Sequence, residues 1–304
     1  MLLPRMRIVS LLASGTELVC ALGAGDELVG RSHECDDPAW VKRLPALSRP
    51  TFDTNGSSAA IDARVRAKLG AGEPLYEVDQ AALAALAPDV IITQTHCEVC
   101  AVSPSTPGCA PTLGREPAVA LATGTIDGIL RAFVDIGALI GRRAAAETLV
   151  ARCRDKMEAI TRATAALPHP RVVCLEWIEP PFALGNWGPE LLRAAGGINV
   201  LGHDGGHSTT IDWQAVRAAD PDVLIVAPCG FDLARTTDEI STLEKQPGFY
   251  DLGAVKNQRC YIADGNRYFN RSGPGVFATL ELLTEMLHPT TFPPVHEGTA
   301  WRRW

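Results

Sequence analysis

Apolar positions along this chain fall into two regimes. Between residues 126 and 166 they recur at Ile126, Ile129, Leu130, Phe133, Ile136 and Ile140, then at Leu149, Val150, Cys153, Met157 and Ile160. Spacings of three, four and seven set such residues on one face of an amphipathic helix. Thr125 can cap its start, and Asp127 lies in the first turn, where a carboxylate suits the helix dipole. Gly141 ends or kinks the helix, and residues 142–166 continue as one helix of about 25 residues, on the order of 37 Å. Pro168 and Pro170 stop it. Elsewhere the apolar runs are short and bounded by Gly, Pro and polar clusters, as buried strands are. They occupy residues 7–12, 27–30, 75–78, 90–93 and 119–121 on one side, and 172–177, 182–184, 223–227 and 259–263 on the other. Helical segments alternate with them, at 16–22, 61–69, 80–86, 190–195, 212–219, 238–245 and 276–287.

The two sides resemble each other. Leu83-Ala84-Ala85-Leu86-Ala87-Pro88-Asp89-Val90-Ile91-Ile92-Thr93 precedes the long helix, and Val216-Arg217-Ala218-Ala219-Asp220-Pro221-Asp222-Val223-Leu224-Ile225-Val226 follows it. Both read as a helix end, a Pro-Asp turn and a buried strand. Each side also opens alike, with Arg7-Ile8-Val9-Ser10-Leu11 and Arg171-Val172-Val173-Cys174-Leu175. Two copies of an α/β unit predict two α/β lobes with mainly parallel sheets, joined by one long helix, with a ligand cleft between them. The lobes span 7–124 and 169–289, the connecting helix 125–168, and a tail 290–304.

Composition narrows the function. With 304 residues and 46% hydrophobic content the chain can bury full cores. A net charge of −7 and the lack of a basic run argue against nucleic acid. No apolar run approaches the roughly 20 residues that span a membrane. Residues 1–15 carry Arg5 and Arg7 but no separate apolar stretch with a cleavage site, which predicts a cytoplasmic protein, or a periplasmic one if a leader has been removed. Nine cysteines is an odd count for a disulfide framework. Cys20, Cys153 and Cys174 lie in apolar periodic segments and read as small core residues.

The remaining chemistry gathers in loops after strands, where parallel sheets bind ligands. The loop 31–38 carries His33, Glu34 and Cys35; a second carries His96, Cys97 and Cys100; a third carries Cys229. The repeat sets the last two loops opposite each other across the cleft. His33, Cys35, Cys97 and Cys100 together make a Cys₃His set suited to zinc or iron. Two other readings stay open: reduced cysteines packed under a ligand, or a dithiol/disulfide switch. His203 and His207 stand in a glycine-rich loop that can contact a ligand; His169 and His288 end helices and read as dipole partners. Trp177, Trp187, Phe231, Tyr268 and Phe269 lie at strand ends or in loops, which suits a large flat apolar ligand, although about half of such residues are expected to pack loops onto the body. Asn186, Asn266 and Asn270 can bond amide or carboxylate substituents. No phosphate loop, nucleophile elbow or zinc-protease helix occurs. Glu176 and Glu179 flank a strand end and could form an acid/base pair, but a bound ligand or solvent accounts for them equally well.

Four stretches carry a resemblance. Ser32-His33-Glu34-Cys35-Asp36, residues 93–103, Pro228-Cys229-Gly230-Phe231 and residues 264–274 resemble the cobalamin-binding branch of the helical-backbone (class III) substrate-binding proteins. That superfamily includes periplasmic binding components of cobalamin, haem and iron-siderophore ABC transporters. The resemblance implies a corrinoid or related metal chelate gripped between two lobes with little hinge opening, a small tetrapyrrole-like molecule as partner, and an ABC permease. A metal- or thiol-dependent enzyme built on His33, Cys35, Cys97 and Cys100 is the alternative.

Overall fold

A computed structural model describes residues 5–95, 101–102 and 124–304, and the backbone of 118–121. The first lobe runs β1 (Ile8–Ser10), α1 (Ala13–Ala21), β2 (Leu28–Arg31), β3 (Ser48–Pro50), α2 (Ser58–Gly70), β4 (Tyr76–Val78), α3 (Gln80–Leu86), β5 (Val90–Gln94) and β6 (Ala118–Leu121). Two helices follow, α4 (Ile126–Leu139) and α5 (Arg143–Thr164). The second lobe continues with β7 (Arg171–Trp177), β8 (Phe182–Ala183), α6 (Gly188–Ala194), β9 (Ile198–Asn199), α7 (Trp213–Ala219) and β10 (Val223–Val226). It ends with α8 (Leu233–Glu239), α9 (Ser241–Glu244), α10 (Gly253–Lys256), β11 (Cys260–Ala263), α11 (Val276–Leu287) and β12 (Trp301–Arg303).

The fold is the expected α/β one. The first sheet is parallel, in the order β2-β1-β5-β6. The second has the order β12-β11-β10-β7-β8, with β9 also on β7; β7, β10 and β11 run parallel, and β8 and β12 are antiparallel. Side-chain alternation divides the core into three layers. Ile8, Val90 and Ile92 face one way and Val9 and Ile91 the other; Val172, Val223 and Ile225 face one way and Val173, Leu224 and Val226 the other. The outward sets form a separate core on each lobe. The inward sets join one apolar cluster with α1, α4, α5, α6 and α11, so both sheets share a central core.

The internal repeat is chemical as well as topological. β1 pairs with β5 as β7 pairs with β10. Asp89 Oδ2 accepts from Arg7 N–H at 2.8 Å and Asp222 Oδ2 from Arg171 N–H at 2.8 Å, while each aspartate's own N–H donates back to the same arginine's carbonyl. The arginine side chains reach the ends of the preceding helices, Arg7 to Leu86 O and Arg171 to Ala219 O. Asp79 and Asp212 cap the N-termini of α3 and α7, and both helices end on a left-handed residue, Ala87 and Asp220.

Three expectations change. The connector ends its first helix at Gly141 and has the expected long helix in α5, but the two helices pair as a hairpin instead of running on as one backbone. Gly141 takes φ +68° after the C-cap residue Ile140, Arg142 N–H donates to Gly137 O at 2.6 Å, and α5 then folds back against α4. Residues 301–303 of the expected tail form edge strand β12, held by the buried Trp301, whose Nε1–H donates to Glu285 at 2.8 Å. Residues 265–269, read as loop, form a π-helical turn capped by Asp264. Among the described residues no helix is long and apolar enough to cross a membrane.

Candidate functional site

The carboxyl ends of the parallel strands in both sheets open on one cavity between the lobes. From the first lobe, Leu12, Ala13 and Ser14 reach it after β1, Glu34 after β2, and Gln94 from the end of β5. From the second, Cys229 and Gly230 follow β10, and Asn266, Asn270, Arg271 and Ser272 follow β11. Strand ends place all of these groups, as expected for ligand sites on open parallel sheets. The cavity has a volume of about 60 Å³. That holds a few waters, whereas ligand pockets for molecules of drug size run to roughly 300–1,000 Å³.

Polar clasps hold the lobes at this spacing. Arg271 is the central one. Its Nη1 donates to Glu17 Oε1 on α1 at 2.9 Å and to Asp36 Oδ1 at 2.7 Å, and its Nη2 to Asn266 Oδ1 at 3.1 Å. The guanidinium side chain is 6% exposed. Asp36 is partly buried, which opposes its charge, but the hydrogen bond and field of Arg271 hold it below the ordinary carboxylate value. Glu17 lies deeper, and burial raises it in spite of the same arginine. Arg267 adds an ion pair to Asp37 at 3.1 Å. A second clasp lies at α8. Glu239 Oε1 accepts from Ser58 N–H at 2.6 Å and from the Ser58 hydroxyl, which itself accepts from Glu179 N–H at 3.1 Å. Arg235 donates to Thr54 O at 2.9 Å and lies 3.8 Å over the ring of Phe231.

Two carboxyls behave unlike surface acids. Glu34 faces the cavity, so 39% of its side chain remains accessible although protein surrounds it; burial pushes it up to about 7. Glu176, at the end of β7, is buried and likewise pushed up to about 7, while Ser208 Oγ–H and Gly185 N–H donate to its Oε2. Cys229 is pushed up to about 12 by burial and by these two carboxyls, so its sulfur stays a thiol near neutrality. His33 is lowered to about 4 by burial and Arg31, and its neutral ring bonds Ser48 Oγ through Nδ1 at 2.8 Å.

Of the residues singled out by sequence, Glu34, Cys229, Asn266 and Asn270 come together on the cavity. Trp177 and Phe231 stand beside each other, 5.1 Å apart edge to face, and the buried Trp177 Nε1–H has no acceptor among the described residues. Tyr268 packs on the shared core next to Arg267. Trp187 and Phe269 lie inside that core, because the turns that carry them close over α6 and α11; they are packing residues rather than cleft residues. Asn186, at φ +52°, joins its loop to Gly205 and Gly206 through backbone bonds. His203 and His207 are exposed on that glycine-rich loop. Of the two carboxylates at the end of β7, Glu176 is buried and Glu179 is exposed.

The cysteine loops divide. Cys35 is buried, and its sulfur accepts from Thr16 Oγ1–H at 3.0 Å at the base of α1. His96, Cys97 and Cys100 lie outside the described residues. Among the described residues no three His, Cys, Asp or Glu side chains form a metal-holding group. Sequence reasoning passed over Ser14, Glu17, Gln94, Arg271 and Ser272. Arg271 sits in the last of the four resembling stretches, but its acidic partners Glu17 and Asp36 lie more than 230 residues away, and nothing local announces them.

Comparison with known proteins agrees with this geometry. The family model described as "Periplasmic binding protein" matches residues 8–266. Similar solved structures include a periplasmic heme binding protein from Pseudomonas aeruginosa, 20% identical with a TM-score of 0.71, covering 95% of this chain and 94% of that one. The periplasmic vitamin B12 binding protein BtuF of Vibrio cholerae is 19% identical, with a TM-score of 0.65 and coverage of 93% and 97%. An ABC-type Fe3+-hydroxamate transport protein from Saccharomonospora viridis DSM 43017 is 20% identical, with a TM-score of 0.67 and coverage of 94% and 94%. No curated protein sequence matches. At these identities the structures establish the fold, and the family is one of periplasmic proteins, which favours the periplasmic alternative over the cytoplasmic expectation. With its sheets, its shared core and its interlobe cavity in the same chain segment that the family model spans, the chain belongs to the periplasmic binding protein family.

Proposed function

We propose that this protein binds a metal chelate of the tetrapyrrole class, a corrinoid first among them, between its lobes, and that it acts outside the cytoplasm as the binding component of an ABC transporter. The observation that carries this reading is the cavity at the carboxyl ends of both sheets, lined from both lobes. Proteins of this fold named for heme, vitamin B12 and Fe3+-hydroxamate support the ligand class. The four stretches that resemble cobalamin-binding relatives favour the corrinoid within it. Its lining amides, Asn266, Asn270 and Gln94, are suited to the amide side chains of a corrin. The cavity must widen several-fold to admit such a molecule, so binding is coupled to release of the clasps.

The test is a titration of the purified protein with cyanocobalamin, dicyanocobinamide, haemin and a ferric hydroxamate, followed by absorbance and calorimetry. A saturable shift of the corrin bands at one equivalent is expected. Silence from all four ligands at ~0.1 mM, where sites of roughly 5 kcal/mol fill, rejects the reading.

A further inference from the structure

We infer that the interlobe cavity discriminates among metal chelates by charge, with Glu34 as the discriminating residue: it accepts a ligand whose periphery carries neutral amides and rejects one that carries free carboxylates. This deepens the proposed function and rests on it. Among the described residues that line the cavity, Arg271 is the only cation. Its charge is already balanced twice, by Glu17 at 2.9 Å and Asp36 at 2.7 Å, and its second nitrogen is taken by Asn266. Glu34, by contrast, presents its carboxyl to the cavity; Arg271 acts on it only through its field, and its near neighbour is the ring of His33, 4.0 Å away. The sum over Glu17, Glu34, Asp36 and Arg271 is negative when the acids are ionised. A propionate or acetate side chain entering here adds a further negative charge, in a space where water is scarce and Coulomb energies are large. An amide adds none, and the lining polar groups of Asn270, Ser14 and Ser272 can pair with it.

Two corrinoids of one ring system provide the test: dicyanocobinamide, with amides on its periphery, and dicyanocobyrinic acid, with free carboxylates in their place. For the wild-type protein at pH 8 the amide ligand is expected to bind at least about 30-fold tighter. In Glu34→Gln, which keeps the shape of the side chain, the gap at pH 8 should narrow about 10-fold; a thermal melt confirms that the variant is folded. Equal or tighter binding of the acid, or a gap that Glu34→Gln leaves untouched, overturns the inference while the proposed function stands. Failure of both corrinoids to bind overturns the corrinoid reading and the inference with it.

Discussion

Glu176 shows how one residue reports on the environment that surrounds it. In an unfolded chain its carboxyl titrates near 4.5, and in the fold near 7, because burial penalises the anion more than Ser208 and Gly185 support it. Between these two values the folded state binds more protons than the unfolded one. Stability therefore falls as pH rises across this window and levels off above it. The loss from this group is on the order of 3 kcal/mol at most, or several degrees in melting temperature. Glu176→Gln keeps both hydrogen bonds and has no charge to bury. Thermal melts at pH 5.5 and pH 8 should show a smaller drop for the variant than for the wild type, with the variant the more stable of the two at pH 8; superimposable pH profiles would show that Glu176 carries no such cost. The polar loops after strands made Glu34, Cys229, Asn266 and Asn270 legible in the sequence, since a short run of ligand-type residues there has few other uses. Glu17 was illegible for the opposite reason. It sits in the apolar helix α1, and its role comes from Arg271, a partner 254 residues along the chain.

At the scale of elements, strands were the easier part to read. Val223–Val226 and the Val90–Ile92 part of β5 are buried on both faces, which leaves an unbroken apolar run in the sequence. The repeat around Pro88-Asp89 and Pro221-Asp222 also survived, because the same aspartate clamp on the first strand of each lobe demands the same residues. The connector was harder. An apolar stripe looks the same whether two helices run on or fold back, so the periodicity across Gly141 could not tell a rod from a hairpin. The residue that decides is Gly137. A Cβ there would fall well inside the contact distance of the Ala146 Cβ and lie 3.3 Å from Arg142 O, so α4 and α5 approach closely only because that atom is absent. Gly137→Ala gains up to about 1 kcal/mol of helix propensity and loses about 1–3 kcal/mol to overpacking. The expected balance is a net destabilisation of about 1–2 kcal/mol in urea unfolding. Adding Ala146→Gly, which removes the opposing methyl, should restore much of it. If Gly137→Ala proves neutral and the second change only destabilises further, the helices do not cross where the structure sets them.

The whole molecule sets an apolar joint against a polar one. Both sheets and helices α4 and α5 share one core, whose separation would expose extensive apolar surface at roughly 25 cal/mol per Å². The cleft side is held by Arg271 with Glu17 and Asp36, by Glu239 with Ser58, and by Arg235 with Thr54 and Gly56. Such contacts exchange with water at a net of only about 1–3 kcal/mol each. Widening of a 60 Å³ cavity for a large ligand must therefore come from the polar side, while the shared core holds the lobes in register. This ordering has a kinetic and thermodynamic consequence. If the clasped form is the resting state, the apparent affinity is reduced by the fraction of molecules that are open, and weakening a clasp removes part of that penalty. Glu239→Gln leaves the α8 clasp with a neutral acceptor and Arg235→Ala deletes its neighbour; neither residue lines the cavity. A loss of about 1.4 kcal/mol of clasp energy corresponds to a tenfold shift between closed and open forms. Stopped-flow mixing with cyanocobalamin should thus show the double variant associating up to about 10-fold faster, with dissociation little changed, because the α8 clasp is already broken in the loaded protein. Faster dissociation at unchanged association would mean instead that the clasp re-forms over the ligand, and that the cavity grows by moving other elements than α8.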